Sequence, residues 1–186
     1  MPDDRPWADT QSQACAECGL DPTTMTRAEL PDAVRGLGRR YRIPLTRFLP
    51  GEDPDTVAGA RSAGGTAWSA LEYACHARDV LGIFADRIEL TLAEDRPELG
   101  WWDHEAAVAD DDYAGQDRAT VADELAANAE RLGAVLATVP DDGWGREATR
   151  RGTETFTVEG LGRFALHEGH HHLLDVGRAL RTARGR

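Results

Sequence analysis

An all-α protein, a four-helix bundle, is the fold class this sequence predicts, and three observations predict it. Four long stretches repeat apolar residues three and four apart, the spacing of one helix face. Two of these stretches open on capping boxes. The second and third are separated by a long acidic connection, too long for a tight turn and of the length a crossover between bundle ends requires.

The first stretch opens on Thr26 with Glu29 and continues through Leu30, Val34, Leu37, Tyr41 and Leu45. Pro44 is expected to kink or end that helix early, because proline removes a backbone donor and its ring crowds the preceding turn. Residues 49–65, rich in Gly, Pro and Asp, read as a connector. Ser69 with Glu72 caps the second helix, which runs to about Ala93 with Ala74, Ala77, Leu81, Phe84 and Ile88 as its core stripe. Residues 94–117 form the crossover and carry Trp101, Trp102, His104 and Tyr113. These side chains are expected to plug the bundle end, with a pocket lid as the alternative. The third helix is expected over Thr120 to Val139, with Val121, Leu125, Leu132 and Leu136 inward, and Pro140 stops it. Residues 141–156 form a connector with room for a short hairpin, and the fourth helix spans Val158 to about Leu180. The chain thus divides into an N-terminal extension, residues 1–25, and a helical domain, residues 26–182.

Composition narrows the chemistry. The 186 residues suffice for one domain with a sizeable core. A formal charge of -12 argues against a surface that tracks nucleic-acid phosphates. Lysine is absent, which excludes Schiff-base chemistry and Walker-type phosphate loops. No signal-peptide pattern opens the chain and no apolar run is long enough to span a bilayer, so a cytoplasmic protein without membrane association is expected. The extension holds Cys15 and Cys18 in a C-A-E-C-G turn shaped like a zinc knuckle. With no second cysteine pair to complete four ligands, it reads as reduced thiols in an ordered turn, with a metal site as the alternative and a redox dithiol set aside for want of a strand–helix pattern around it.

Four of the six histidines lie in F-A-L-H-E-G-H-H-H-L-L-D-V-G-R, residues 164–178. His167 and His171 stand four apart and share a helix face, as two imidazoles must to meet one divalent metal. His170 is an alternative partner for His167 at three residues. A third ligand must come from elsewhere, and His76, at the border of the second helix's apolar arc, is the best candidate. Three imidazoles leave a coordination position open for water or substrate, the mark of a catalytic site. Glu72, Asp79, Glu168 and Asp175 are placed to orient the rings. The plain alternatives are a solvated histidine-bearing face and a half-buried His76 bonded to a neighbouring carboxylate. A di-iron centre would need a glutamate from each remaining helix and is set aside. Cys75 falls in the apolar arc and is expected to be core.

W-S-A-L-E-Y-A-C-H-A-R-D-V-L, followed some ninety residues later by F-A-L-H-E-G-H-H-H-L-L-D-V, resembles the DinB-like superfamily of metal-binding four-helix bundles. That superfamily includes the metal-binding domain of mycothiol-dependent maleylpyruvate isomerase, and C-A-E-C-G occurs in some actinobacterial members. The resemblance implies an up-down-down-up bundle, often a homodimer, and marks His76, His167 and His171 as a metal triad. It also implies a divalent metal (zinc first, nickel or iron as alternatives) and, for some members, mycothiol or another low-molecular-weight thiol as cofactor. A thiol-dependent transferase or isomerase acting on a small molecule is the leading expectation, with Arg78 or Arg163 to hold a substrate carboxylate. A metal-dependent hydrolase using Glu168 or Glu72 as base and a non-catalytic metal-binding stress-response bundle are the alternatives.

Overall fold

The computed structural model describes residues 9, 11–62, 65 and 67–186. Trp7, on the N-terminal extension, and part of the Gly-rich connector lie outside the described residues. Six α-helices and one two-stranded hairpin are described: α1 (Leu30–Thr46), α2 (Pro54–Gly59), α3 (Ala70–Ala93), α4 (His104–Asp110), α5 (Arg118–Ala137), β1 (Glu147–Arg150), β2 (Glu154–Thr157) and α6 (Val158–Ala183). The four long helices α1, α3, α5 and α6 make the bundle. Two connectors contain helices, α2 and α4, that sequence periodicity did not reveal, each too short to show a repeat.

Local chemistry sets most of the helix ends. Ser69 and Glu72 form the expected reciprocal capping box at α3. Asp117 accepts from Thr120 N–H at 2.7 Å to start α5, and Thr157 accepts from Gly160 N–H at 3.0 Å to start α6. Thr26 and Glu29 do bond each other, Thr26 N–H to Glu29 Oε2 at 2.9 Å, but in a turn that precedes α1, whose first residue is Leu30. Pro44 does not end α1, which continues to Thr46. Standing in the last turn, it forfeits one ladder bond with no further turns to disrupt.

Leu37 meets Gly169, and Leu30 meets Gly162, so α1 and α6 run parallel. Gly38 lies on Ala126 while Leu30 and Leu136 converge, so α5 runs antiparallel to α1. Arg78 pairs with Glu124 and Arg131 with Glu89, making α5 parallel to α3. Phe84 packs on Phe164 and His76 on His172, making α3 antiparallel to α6. The order is up-down-down-up, with α1 and α3 each packed between α5 and α6.

That order explains the long middle connection. Because α5 runs parallel to α3, residues 94–117 must travel back along the bundle to reach the start of α5. On the way they pair with β1, through Leu99 N–H to Thr149 O at 2.7 Å and Thr149 N–H to Pro97 O at 2.9 Å. They then carry Trp102 and His104 past the first turns of α3. Of the residues on this loop, Tyr113 is fully buried, Trp102 and His104 face His76, and Trp101 is half exposed.

The core comprises α1 Val34, Leu37, Tyr41 and Leu45 with α3 Leu81 and Ile88, α5 Leu125 and Leu132, and α6 Ala165 and Val176. At the α1–α5 crossing, a β-carbon on Gly38 would stand 2.9 Å from the Ala126 α-carbon, a backbone atom that cannot swing aside. Gly38→Ala is therefore expected to destabilise. Overpacking costs about 1–3 kcal/mol and exceeds the roughly 1 kcal/mol gained in helix propensity. Urea denaturation of the two proteins measures the difference, and a more stable variant would contradict the close approach.

Candidate metal centre

Successive residues of α6 are turned by about 100°, so His167 and His171 form one line along the helix and Glu168 and His172 the neighbouring line. The tertiary structure uses both lines. Helix α3 packs against the second, and the structure gathers His76, Glu168 and His172, with donor atoms all within 4.8 Å of one another. The N-terminal segment lies against the first line, gathering Cys15, Cys18, His167 and His171 within the same limit. Of the three histidines expected around one metal, His167 and His171 stand together and His76 stands in the adjacent group. The physical reason is the rotation of α6, which presents Glu168 and His172 to α3. Glu168-x-x-His171 has the spacing of a di-iron carboxylate motif, yet its two residues also fall in different groups. A third group, Glu17, His171 and Asp175, overlaps the cysteine-bearing one.

His76 is 4% exposed and enclosed by rings. Trp102 stacks on it at 5.3 Å between centroids and 10° between planes; Trp68 lies at 5.3 Å, His104 at 5.7 Å, and His172 meets it edge-on at 4.6 Å. Tyr73 stacks on His172 at 5.6 Å. Burial holds the His76 imidazole near pKa 4, so it is neutral at pH 7. Its Nδ1 is buried without a hydrogen-bond partner.

Glu168 links the rings around it. Its Oε2 lies 3.9 Å from His76 Nε2 and 3.7 Å from His172 Nε2, and its Oε1 lies 3.4 Å from His167 Nδ1. Burial opposes its charge, but these histidines outweigh burial and hold the carboxyl well below the usual range. His172 is driven the other way: burial disfavours its proton, yet Asp175, at 3.1 Å, and Glu168 raise it to about 9. Glu168 thus stands among the rings of His76, His167 and His172, and Asp175 beside those of His171 and His172.

Glu72 and Asp79 are occupied elsewhere. Glu72 caps α3 and takes a bidentate contact from Arg61, while Asp79 pairs with Arg78 and accepts from Tyr113 Oη. Arg78 is committed to Asp79, Gln116 and Glu124, and Arg163 to Glu159, so both guanidiniums expected to hold a substrate carboxylate already have anionic partners. Cys75 is fully buried, as expected, and burial pushes its thiol up to about 12. His170 turns away toward α1, where Arg40 lies 3.1 Å from its Nδ1.

In the cysteine-bearing group, His167 and His171 are 0% and 2% exposed. Cys15 Sγ lies 3.6 Å from His171 Nδ1. Burial works against ionisation of Cys15, but the backbone N–H groups of Cys18 and Glu17 and the two imidazoles overcome it and bring the thiol to about 6. Burial and the neighbouring Cys15 push Cys18 up to about 11. Both cysteines are free thiols in an ordered turn, as expected, and the donors that face them lie on the last helix. The signal was present as two halves of a Cys2His2 set, C-x-x-C and H-x-x-x-H.

Comparison with known proteins agrees with this architecture. The sequence profile of the DinB superfamily matches residues 23–176. Among solved structures, the chain is similar to that described as "YfiT from Bacillus subtilis is a probable metal-dependent hydrolase with an unusual four-helix bundle topology". The TM-score is 0.70 at 20% sequence identity, covering 82% of this chain and 86% of that one. At that identity the likeness concerns the fold. No curated protein matches the chain. No helix among the described residues is long and apolar enough to cross a membrane.

Proposed function

The chain belongs to the DinB superfamily, and on that premise we propose a metal-dependent hydrolase of small molecules with its centre at His76, Glu168 and His172. The observation that carries the reading is the donor set: two imidazoles and a carboxylate, mutually within 4.8 Å, with a buried Nδ1 of His76 lacking any partner. Two histidines and a glutamate are a ligand set of catalytic zinc, with at least one position left to water or substrate. A divalent ion held there supplies Lewis acidity toward a carbonyl oxygen and toward water.

The remaining work falls to the chain's own side chains. Trp68 and Trp102 wall the site and offer flat apolar faces to a substrate body. His104, at the start of α4 and 45% exposed, faces the site from the rim and is placed to move a proton between water and the leaving group. Glu72, the earlier candidate base, is withdrawn from that role by Arg61 and the α3 cap. Glu168 keeps its charge, which the surrounding rings favour.

The test is turnover of a panel of small esters and amides by metal-loaded protein without added thiol. His76→Ala should lose the metal of this centre together with activity, whereas His104→Ala should keep that metal and lose about 10²–10⁴-fold in kcat. The thiol-dependent transferase or isomerase implied by the family resemblance would use the same centre. Activity appearing only with mycothiol and an electrophile would replace the hydrolytic reading with that one. Metal uptake with no turnover in either arm would leave a non-catalytic metal-binding bundle.

Protonation gives a second check on the centre. At pH 7 His172 carries a proton and His76 does not, so cation uptake by this group is expected to release about one proton. The release should vanish as pH rises past about 9, where His172 is already neutral. Calorimetric titration with Mn²⁺, which prefers oxygen and nitrogen donors to thiolates, in two buffers of different ionisation heat measures the count. Uptake with no proton release at pH 7 would remove His172 from the site.

A further inference from the structure

We infer that Cys15, Cys18, His167 and His171 form a second, closed metal site, a four-coordinate structural zinc centre that fastens the N-terminal segment to α6. The four side chains offer two sulfurs and two ring nitrogens, all within 4.8 Å. Two sulfurs and two nitrogens suit tetrahedral zinc. Four protein ligands leave no open position, which separates a structural site from the three-donor group beside it.

The backbone of the segment is folded for this role. Gly19 N–H bonds Cys15 O at 2.9 Å and Cys15 N–H bonds Leu20 O at 2.9 Å, wrapping the chain around the two sulfurs. Gly19 closes the wrap at φ +73°, a conformation that side-chain-bearing residues rarely adopt. The two cysteines are free thiols rather than a disulfide, so both sulfurs are available as ligands.

Carboxylates also stand near the far nitrogens of both rings. His171 turns Nδ1 to Cys15, while its Nε2 faces Asp175 Oδ2 at 3.6 Å and Glu17 Oε2 at 3.7 Å. His167 turns Nδ1 to Glu168 Oε1 at 3.4 Å. A carboxylate on the far nitrogen fixes tautomer and ring orientation and strengthens the ligand. Elsewhere the segment is anchored by the turn at Pro22–Thr24, which packs on α6 with Pro22 buried, by Leu20 and Met25 on the core, and by Glu17 on Arg178. A site that gathers both cysteines against α6 adds a further attachment.

The test is metal content and cobalt spectroscopy on the full chain. Wild type reconstituted with zinc should hold two equivalents, and with Co²⁺ should show tetrahedral bands with a thiolate-to-cobalt charge-transfer absorption. The Cys15→Ser/Cys18→Ser double variant should lose that absorption and one equivalent. His76→Ala should lose the other equivalent and keep the absorption, so failure of the proposed catalytic centre is read separately. Should the double variant fail to fold, wild type still decides: zinc-loaded protein should resist thiol alkylation at Cys15 and Cys18 until a chelator is added. Absence of the charge-transfer absorption, full zinc content in the double variant, thiols alkylated equally with and without zinc, or loss of the absorption in His76→Ala would each overturn the inference.

Discussion

Glu168→Ala is expected to destabilise the metal-free protein by about 3–5 kcal/mol at pH 6, the cost of leaving a buried charge without one of its partners. The stranded group is His172, whose raised pKa of about 9 rests on Glu168 and Asp175 together. A group with a raised folded pKa contributes its full stability below its unfolded value, about 6.5, and loses it as pH rises through the folded one. The gap between wild type and variant should therefore be widest near pH 6 and narrow toward about pH 10. Glu168→Gln, which keeps the shape, should in addition move the His172 midpoint down toward 6.5, visible in its ring proton shifts. Urea denaturation with chelator present, at both ends of the range, measures the first effect. A gap independent of pH would mean that Glu168 acts on packing rather than on charge.

The second large effect concerns the N-terminal segment. Structural zinc contributes about 10–16 kcal/mol in zinc-finger peptides at neutral pH, and even about 1.4 kcal/mol of local attachment is tenfold in an opening equilibrium. Chelation is accordingly expected to raise tryptic cleavage after Arg27 by at least about tenfold, with the helix signal of the bundle unchanged. Arg27 is exposed and pairs with Glu159 of α6, so protection of this bond reports the attachment of the segment before it. Added zinc should restore resistance. Equal cleavage with and without chelator would show that the segment is fastened by its apolar contacts alone.

Much of this architecture is legible in the chain. The four bundle helices announce themselves because each must bury one apolar face, and burial imposes a period that can be counted. Their ends shift by a few residues where capping chemistry, not periodicity, decides: α6 runs on to Ala183, and α5 begins at Arg118 behind Asp117. Helices α2 and α4 are too short to show a period. The candidate centre was legible by residue type and only partly by grouping. His76 and the α6 cluster were found, but a helix offers both His167-x-x-x-His171 and Glu168-x-x-x-His172, lines about 100° apart. Which line faces α3 is a tertiary fact, set by the packing of Phe164 on Phe84 and Gly169 on Leu37. The role of Cys15 and Cys18 was hidden for a similar reason. Their partners lie far along the chain, 156 residues in the case of Cys15 and His171, a separation that chain entropy tolerates because closure cost grows only logarithmically with length.

Asp175 has a consequence that reaches beyond either donor group. One of its oxygens, Oδ2, stands 3.1 Å from His172 Nδ1 and 3.6 Å from His171 Nε2, so a single negative charge serves rings belonging to both groups. Two cations bound on either side would draw on that charge together, and the affinity for the second would depend on the presence of the first. Thermodynamic linkage makes that dependence mutual and equal in size. The order in which the protein is loaded would then change the apparent strength of each step but not their product, and Asp175→Asn would uncouple the two.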